Sequence, residues 1–548
     1  MDHDPGVTHE VFNQTPPYAG RNLFTGDPVL RSALDALLDP QTEEDMTRAG
    51  AYWGSADALE MARLANTNTP TLRTHDAQGR RLDMVEFHPA YHALMRRSVE
   101  GGLHCSAWDR DQALTGRRHA LRGARLYMTA QGECGHICPM TMTNAATAAL
   151  KAAPELLEMW LPRITSRRYD HRFLPAEQKA GVTIGMGMTE KQGGTDVRAN
   201  TTSASQSGNG MWEVTGHKWF FSAPMCDAFL VLAQTQAGPT CFLMPRFLPD
   251  GTVNRIRLQR LKDKLGNRSN ASSEVEFHGA GAWLVGEEGH GVRTILEMVT
   301  LTRLDCALAS AGQMRAALGE AVHHARHRQV FGAKLIDQPM MTRVLADMAL
   351  DVAAATALSI RLARAFDHGP NNEREALFAR LVTPAAKYWV CKATPPLVYE
   401  AMECLGGNGY VEEGTMARIY REAPLDAIWE GAGNVMCLDV LRALQKSPES
   451  LDAVIGEVER DLGSSGPVSS QVLKAAARAC VDDPGSSRIL TEQLALTVAA
   501  ACLRQVAPRA VADAFIDTRL GGQWRATYGM LDSRFDAKAL VEYAFPEM

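Results

Sequence analysis

The chain has 548 residues, of which 45% are hydrophobic and 22% charged, so it can build several hydrophobic cores and is not a disordered polymer. Its formal net charge of -6 excludes an overall attraction to nucleic acid or to anionic membranes, and any such contact therefore requires a local patch. The N-terminus lacks a signal-peptide pattern and no apolar run reaches about 18 residues, which predicts a cytoplasmic protein without membrane contact.

The eleven cysteines are scattered without a framework spacing, which is typical of reduced, buried thiols. Their densest cluster consists of Cys134 and Cys138 around His136. A zinc site needs about four ligands, usually in two pairs, and no second pair stands at a suitable spacing. The sequence therefore predicts no metal.

The N-terminal third carries helical signals. Leucines recur at helical spacing from Leu30 and again from Leu121, and a polar, turn-rich excursion at residues 65–90 separates the two regions. From about residue 181 the chain changes to short strands, and residues 255–258 and 274–277 alternate charged and apolar side chains as a half-buried sheet requires.

The helical period returns after Gly291 in three long patterns, the second near residues 340–367 and the third near 373–405. A Gly/Ser-rich stretch at residues 463–470 then reads as a linker before a last helical region. We therefore predict an α+β protein with four parts, which are an N-terminal helical domain (1–180), a central β-barrel or sandwich domain (181–285), a C-terminal four-helix bundle (286–446) and a helical extension (447–548).

Four motifs carry chemical information. They are residues 183–196 (TIGMGMTEKQGGTD), 216–222 (GHKWFFS), 328–332 (RQVFG) and 403–410 (ECLGGNGY). The first is an apolar strand that opens into a Gly-rich loop, which alone indicates a tight turn as readily as a cofactor site. Its Thr189 alone would be interpreted as a turn or helix cap.

In this order, and closed by residues 429–431 (WEG), these motifs resemble the acyl-CoA dehydrogenase flavoproteins over residues 120–445. Residues 65–70 (ANTNTP), 75–83 (HDAQGRRLD) and 260–271 (RLKDKLGNRSNA), together with the long C-terminal extension, resemble more closely the AidB-type branch associated with the adaptive response to DNA alkylation. The resemblance covers essentially the whole chain and implies an acyl-CoA dehydrogenase-like fold.

The resemblance also implies FAD, bound between the β domain and the bundle, and an acyl-CoA or another small apolar substrate. Arg328 matches an arginine that meets the FAD diphosphate across a subunit interface, so the resemblance implies a homo-oligomer with a tetramer as precedent. A solvated arginine late in a helix fits the local sequence of Arg328 equally well. The positions matched to FAD binding are Met186, Met188, Thr189, Gly194, Thr195, Phe220, Phe221, Ser222, Arg328, Phe331, Gly406, Gly407, Ile428, Trp429, Gly431 and Asn434.

Glu430 matches the carboxylate that many of these flavoproteins use as catalytic base. Its neighbours Ile428 and Trp429 are apolar, and such surroundings disfavour the charged form and raise the pKa of a carboxyl group. Some relatives place the base on an earlier helix, where this sequence has Thr302. The alternative from the residues alone is a Glu that complements the positive end of the helix beginning near Gly431.

The AidB-type branch is associated with binding of double-stranded DNA through its C-terminal region. Residues 442–548 carry 12 basic against 14 acidic residues, so DNA binding there requires basic side chains to converge in space. The candidates are Arg504, Arg509, Arg519 and Arg525. Two hypotheses follow: a DNA-binding flavoprotein of the alkylation response with weak isovaleryl-type dehydrogenase activity, or a metabolic short- or branched-chain acyl-CoA dehydrogenase whose extension serves assembly only.

Overall fold

A computed structural model describes residues 8–207, 210–522, 528, 531 and 534–546. The N-terminal part is helical, and a two-stranded antiparallel hairpin forms the excursion predicted at residues 65–90. Several of its helices begin at a Ser or Asp cap or at a proline, as expected for helix starts. Its elements are α1 (Pro28–Leu34), α2 (Pro40–Trp53), α3 (Ala56–Thr67), β1 (Thr71–His75), β2 (Arg81–Glu86), α4 (Pro89–Glu100), α5 (Arg118–Gly132), α6 (Ile137–Leu150) and α7 (Pro154–Ile164).

The middle part is a seven-stranded sheet. Its strands are β3 (Ile184–Gly187), β4 (Ser203–Gln206), β5 (Trp212–Ser222), β6 (Ala228–Thr235), β7 (Gly238–Pro245), β8 (Ile256–Leu261) and β9 (Ser272–Val285). The strand order is β3-β5-β4-β6-β7-β9-β8, and additional pairings join β3 to β6 and β5 to β9. The two alternating segments predicted as strands pair with each other, with Leu258 opposite Val275.

The third part is a bundle around α8, α9 and α10, which pack on one another, with α13 packed on α10. A two-residue-per-strand hairpin, β10 and β11, lies between α8 and α9. The elements are α8 (Gly291–His327), β10 (Gln329–Val330), β11 (Ala333–Lys334), α9 (Pro339–His368), α10 (Glu373–Cys404), α11 (Gly407–Tyr410), α12 (Met416–Glu422) and α13 (Gly433–Lys446).

The extension continues the helical packing. It consists of α14 (Glu449–Leu462), α15 (Gly466–Asp482), α16 (Ser487–Val506), α17 (Arg509–Phe515) and α18 (Ala537–Ala544). The predicted linker at residues 463–470 is wrong, because these residues form a tight turn and the start of α15. Gly463 has a φ of 56°, which suits a residue just past a helix end, and Pro467 lies in the first turn of α15.

Buried polar contacts join the three main parts near the candidate site. Glu422 at the end of α12 accepts hydrogen bonds from the backbone and side chain of Asn267, in the loop after β8. Glu133, after α5, accepts one from Ser269 in the same loop at 2.7 Å. This loop, residues 262–271, is therefore fixed against both helical regions. Among the described residues, no helix has the length and hydropathy that a membrane crossing needs.

Candidate active site

One wall of the candidate site is formed by β3 and β5. Met186 pairs with Ser222 across these strands. A side chain on Gly185 or Gly187 would collide with Phe229 or Phe221, so both glycines make room for the β core. Because side chains alternate along a strand, Met186 and Met188 lie on the opposite face, and both are half-buried.

The loop after β3 is held by a buried ion pair. Glu190 and Lys218 meet at 2.7 Å with both side chains fully buried. The carbonyl of Thr189 accepts a hydrogen bond from the backbone of Trp219 at 2.8 Å, which ties the loop to β5. Gly194 and Thr195 lie further along the loop and are exposed.

A β-bulge separates the roles of the two phenylalanines on β5. The register with β9 shifts between Lys218 and Phe221, and such a bulge turns side chains out of the regular alternation. Phe220 is 50% exposed on the wall, whereas Phe221 is fully buried against Phe229 in the β core. The assignment of the Phe221 side chain to cofactor contact is therefore corrected, since only its backbone is left for such a contact.

The opposite wall carries Glu430, which lies between α12 and α13 with a φ of 58°. The Thr302 hydroxyl on α8 donates to Glu430 Oε2 at 2.7 Å, and Arg303 Nε donates to the Glu430 carbonyl at 3.0 Å. Lys387 on α10 donates to the carbonyls of Trp429 and Gly431. Burial raises the pKa of the Glu430 carboxyl, opposed by the Thr302 hydrogen bond and by the charges of Arg303 and Lys387.

A second carboxylate lies behind Trp429. The indole N–H donates to Asp426 Oδ1 at 2.7 Å, and the Ser310 hydroxyl donates to Oδ2 at 3.0 Å. Burial raises the pKa of Asp426 to about 6, against these hydrogen bonds and the charge of Lys387. The ring of Trp429 is thus held in place from behind, while Ile428 is 64% exposed and Asn434 accepts a bond from Arg488 at 2.8 Å.

The two walls meet around α6. Met186, Met188 and Trp429 pack against one apolar cluster that includes Cys138 of α6 and Leu301 of α8. Burial raises the pKa of the Cys138 thiol to about 12, and the thiol lies close enough to Lys264 and Glu430 for both charges to act on it. Met186 and Met188 from the β wall and Trp429 from the helical wall thus pack on the same apolar cluster, and Cys138 in this cluster lies near Glu430.

Sequence reasoning missed three basic residues at this cleft. Arg303 and Lys387 contact the backbone around Glu430, and Lys264 Nζ donates to the Asn270 carbonyl at 2.7 Å and to the Ser272 hydroxyl at 3.2 Å. Ser272 in turn contacts Ser222. Lys387 did leave a signal, because it is a charged residue on the otherwise apolar segment of α10 that runs from Leu381 to Cys391.

The motif at residues 328–332 comprises Arg328, strand β10 and the two-residue turn between β10 and β11. Arg328 donates to the carbonyl of Asn13 at 2.6 Å, and Phe331 at the tip is fully exposed with a φ of 51°. Gly406 and Gly407 are also exposed, and a side chain on either would meet open space. Phe331, Gly406 and Gly407 are thus exposed at the surface of their own chain, whereas Arg328 is partly buried and the Gly406 N–H donates to the Glu403 carbonyl at 2.9 Å.

The three predicted DNA-binding arginines that lie within the described residues do not form one basic patch. Arg519 is wrong as a DNA contact, because its guanidinium is buried and pairs with Asp347 at 2.6 Å and Asp351 at 3.0 Å. Arg504 pairs with Asp513 at 2.6 Å, and Arg509 approaches the same carboxylate at 3.6 Å. Arg525 lies outside the described residues.

Comparison with protein families follows the same division of the chain. Residues 13–171 match the adaptive response protein AidB N-terminal domain, residues 185–280 the acyl-CoA dehydrogenase middle domain and residues 289–445 the acyl-CoA dehydrogenase C-terminal domain. The chain is 52% identical over 440 residues to the putative acyl-CoA dehydrogenase AidB of Escherichia coli, covering 80% of this chain and 81% of that protein.

A sequence relative and a solved structure from Caenorhabditis elegans extend the likeness. Acyl-CoA dehydrogenase family member 11 of Caenorhabditis elegans is 31% identical over 473 residues, covering 83% of this chain and 75% of that protein. The crystal structure of Caenorhabditis elegans ACDH-11 in complex with C11-CoA superposes with a TM-score of 0.84 at 27% identity, covering 99% of this chain and 98% of that one.

The chain belongs to the acyl-CoA dehydrogenase family, whose members are FAD-binding oxidoreductases. Within that family it is AidB-like, because both its N-terminal region and the Escherichia coli relative carry that likeness. The predicted fold class, enzyme class and cofactor are thereby confirmed, whereas the assignments of individual residues to FAD stay predictions.

The cleft fits a flavin in its donor chemistry. Phe220 and Trp429 offer aromatic side chains, Met186 and Met188 offer a half-buried apolar surface, and the hydroxyl of Ser222 lies at the end of β5. Apolar and aromatic surfaces with a few placed polar groups are typical of sites that bind a flat cofactor ring such as a flavin. In the described part of the chain, no group of His, Cys, Asp and Glu side chains is arranged to hold a metal ion.

Proposed function

We propose that this chain oxidises an acyl-CoA thioester with Glu430 as the catalytic base. The observation that carries the proposal is a half-buried carboxylate with a raised pKa, held by a neutral hydroxyl beside an apolar cleft. Glu430 takes the α-proton of the thioester onto a carboxylate oxygen. The hydride that leaves the β-carbon passes to FAD, which is the chemistry the cofactor supplies when bound.

We also propose that FAD is held by the residues matched in the sequence. Met186, Met188 and Ser222 line the β wall, and Trp429 lies opposite with its indole N–H fixed by Asp426. Thr189, Gly194 and Thr195 contribute the loop, and Gly431 and Asn434 the start of α13. Arg328, Phe331, Gly406 and Gly407 bind the diphosphate end of the cofactor of a neighbouring copy.

A homotetramer in the cytoplasm completes this proposal. The full exposure of Phe331 and the 81% exposure of Tyr410, next to the glycines at 406 and 407, support contact with a second copy, because large exposed aromatic side chains mark interaction sites. The oligomeric state is measured by light scattering of the FAD-loaded protein. A monomer that retains FAD would contradict the shared cofactor site.

The variant Glu430→Gln tests the chemistry. It should retain FAD and the fold while flavin reduction by the thioester falls by a factor of about 1,000 or more, since the amide cannot accept the α-proton. Reduction is followed as bleaching of the flavin absorbance without oxygen. Loss of FAD or of folding in this variant would favour the helix-end role of Glu430, and an unchanged rate would exclude it as the base.

A further part of the proposal concerns which acyl group of the thioester the protein prefers. The resemblance implies an isovaleryl-type substrate with weak activity, whereas the Caenorhabditis elegans relative was crystallised with C11-CoA. Isovaleryl-CoA and undecanoyl-CoA, added in parallel to the loaded protein, distinguish the two. Faster bleaching by the long thioester would exclude the isovaleryl preference.

The second candidate function is binding of double-stranded DNA in the response to alkylation, which the AidB N-terminal match supports. Against it, the ion pairs of Arg519 with Asp347 and Asp351 use that charge to hold the extension on α9. This burial supports a packing role for Arg519 within the chain and weakens the case for the extension as a DNA-binding surface. Titration of the protein with duplex DNA at several salt concentrations distinguishes the two alternatives, because phosphate contacts give a steeply salt-dependent affinity. A flat or absent response, or binding that survives deletion of residues 447–548, would leave the extension without a DNA role.

A further inference from the structure

The backbone at Glu430 adopts a conformation that needs external support. Its φ of 58° lies in the left-handed region, which few residues other than glycine adopt and which persists only where the surroundings enforce it. The next residue, Gly431, also has a positive φ, of 106°. The turn therefore reverses the chain sharply between α12 and α13 at the position of the proposed base.

Two buried cations capture the three consecutive carbonyls of this turn. Lys387 Nζ, from α10, binds the carbonyl of Trp429 at 2.8 Å and that of Gly431. Arg303 Nε, from α8, binds the carbonyl of Glu430 at 3.0 Å and its Nη1 pairs with Asp439 at 2.8 Å. Since α8, α10 and α13 all contribute, the turn is fixed relative to three helices of the bundle.

Lys387 differs from Arg303 in its partners. Its residue surface is 1% exposed, and it forms no ion pair within the described ranges of the chain. Burying an ammonium that has no direct ion pair is costly, so the carbonyl contacts have to compensate it, together with the nearby Asp426 and Glu430 carboxyls on which its charge acts. A hydrophobic residue of similar length would fill the same space in a bundle that needed only packing.

We propose that Lys387 is a positioning residue, whose ammonium locks the carbonyls on either side of Glu430 and so aims the Glu430 carboxylate at the thioester. The inference rests on the proposed role of Glu430. Within the described residues, no hydrogen bond joins Lys387 to the Glu430 carboxylate itself. It acts through the turn, and its charge also favours the ionised form of Glu430 against burial, together with Arg303 and the Thr302 hydroxyl.

The experiment compares Lys387→Met, Lys387→Arg and the exposed control Lys446→Met in the FAD-loaded full chain. Lys387→Met should lower the limiting rate of flavin reduction about 100-fold with little change in the substrate concentration at half-maximal rate, because a base displaced by about 1 Å loses that much. The acid limb of its rate profile should move to higher pH. Lys387→Arg should restore part of the rate, and Lys446→Met should equal the parent.

The outcomes separate this inference from the proposed function. If Glu430→Gln retains activity, the proposed function fails, whatever Lys387 does. If Glu430→Gln is inactive while Lys387→Met keeps the parental rate and pH profile, positioning by Lys387 is wrong. If Lys387→Met does not fold, Lys387→Gln replaces it, because its uncharged amide is one atom shorter and should not hold both carbonyls, so the rate should again fall and the acid limb move to higher pH. A parental rate and pH profile in Lys387→Gln would also overturn the inference.

Discussion

Two buried lysines, one on each wall of the cleft, are stabilised in opposite ways. Lys218 on the β wall meets the Glu190 carboxylate at 2.7 Å and the Leu232 carbonyl at 2.8 Å, so its charge is cancelled where it is buried. Lys387 on the helical wall is equally buried but binds only carbonyls. The pair on the β wall can only hold structure, whereas the unpaired charge on the helical wall still acts on Glu430.

The largest expected change in the free energy of unfolding comes from breaking the ion pair on the β wall. Lys218→Met would leave Glu190 buried without its cation and should lower the free energy of unfolding by about 3–5 kcal/mol. Urea titration at pH 7 measures this loss, with the exposed Lys474→Met as a control expected to change little. The double variant Glu190→Gln with Lys218→Met should recover much of the loss. A stable single variant would show that the Glu190–Lys218 pair is not the structural unit described.

The pH below which the Glu190–Lys218 pair stops stabilising the fold depends on the pKa of Glu190. Burial raises the pKa of Glu190, but Lys218 and hydrogen bonds outweigh burial and lower it to about 2. Because the folded pKa lies below the ordinary value of 4.5, the stabilisation is complete above about pH 4.5 and is lost as the pH falls towards 2. The difference between parent and Lys218→Met should therefore shrink over that range.

On the helical wall, replacing Asp426 should change the free energy of unfolding by a smaller amount and in the opposite direction. Its folded pKa of about 6 lies above the ordinary value of 3.8, so the ionised carboxyl destabilises the fold at neutral pH. The free energy of unfolding of Asp426→Asn relative to the parent should therefore be higher at pH 8 than at pH 4 by up to about 3 kcal/mol. The gain should decline below pH 6 and vanish near pH 4, where the parent carboxyl is protonated.

Asp439 provides the matched control for this variant. It lies on the same wall but pairs with Arg303 at 2.8 Å and Arg380 at 2.8 Å. Asp439→Asn should therefore destabilise the protein at pH 8, where Asp426→Asn stabilises it. Equal signs for the two variants would contradict the distinction between paired and unpaired carboxylates.

The sequence predicted the helices and strands well because their periods are local. The patterns near 340–367 and 373–405 correspond to α9 (Pro339–His368) and α10 (Glu373–Cys404), despite three prolines inside α10. The wrong linker at residues 463–470 came from composition, since Gly, Ser and Pro also form helix ends. Hydrophobic periodicity thus located the long elements better than it located their connections.

The candidate site was less predictable because its contacts are distant in sequence. Arg519 was interpreted as a surface cation, yet it is neutralised by Asp347, 172 residues away. Phe220 and Phe221 are neighbours, and only the bulge in β5 decides which ring is exposed. Lys387 lies 42 and 44 residues before the two carbonyls that it contacts in the Glu430 turn, and Arg303 lies 127 residues before Glu430. No sequence motif around Glu430 therefore contains either residue.

The smallest expected effect concerns the hydroxyl that touches the Glu430 carboxylate. Thr302 Oγ1 lies 2.7 Å from Glu430 Oε2 and 2.9 Å from the Val299 carbonyl, and it has one hydrogen to donate. When Glu430 is ionised, Thr302 donates to the carboxylate. When Glu430 is protonated, the carboxyl can donate to Thr302, which then donates to Val299. The hydroxyl therefore supports both protonation states of Glu430.

Thr302→Val removes this hydroxyl while keeping the shape of the side chain. Hydrogen bonds to charged groups are stronger than those to neutral groups by about 1 kcal/mol, so the ionised form loses more. The pKa of Glu430 should rise further, and the pH at which flavin reduction reaches half its limiting rate should increase by about 0.7 unit. Thr300→Val, which removes a hydroxyl bonded only to the Leu296 carbonyl on the same helix, should leave that pH unchanged. A shift to lower pH in Thr302→Val would mean that the hydroxyl favours the protonated base, and the ionised Glu430 would then depend on Lys387 and Arg303 alone.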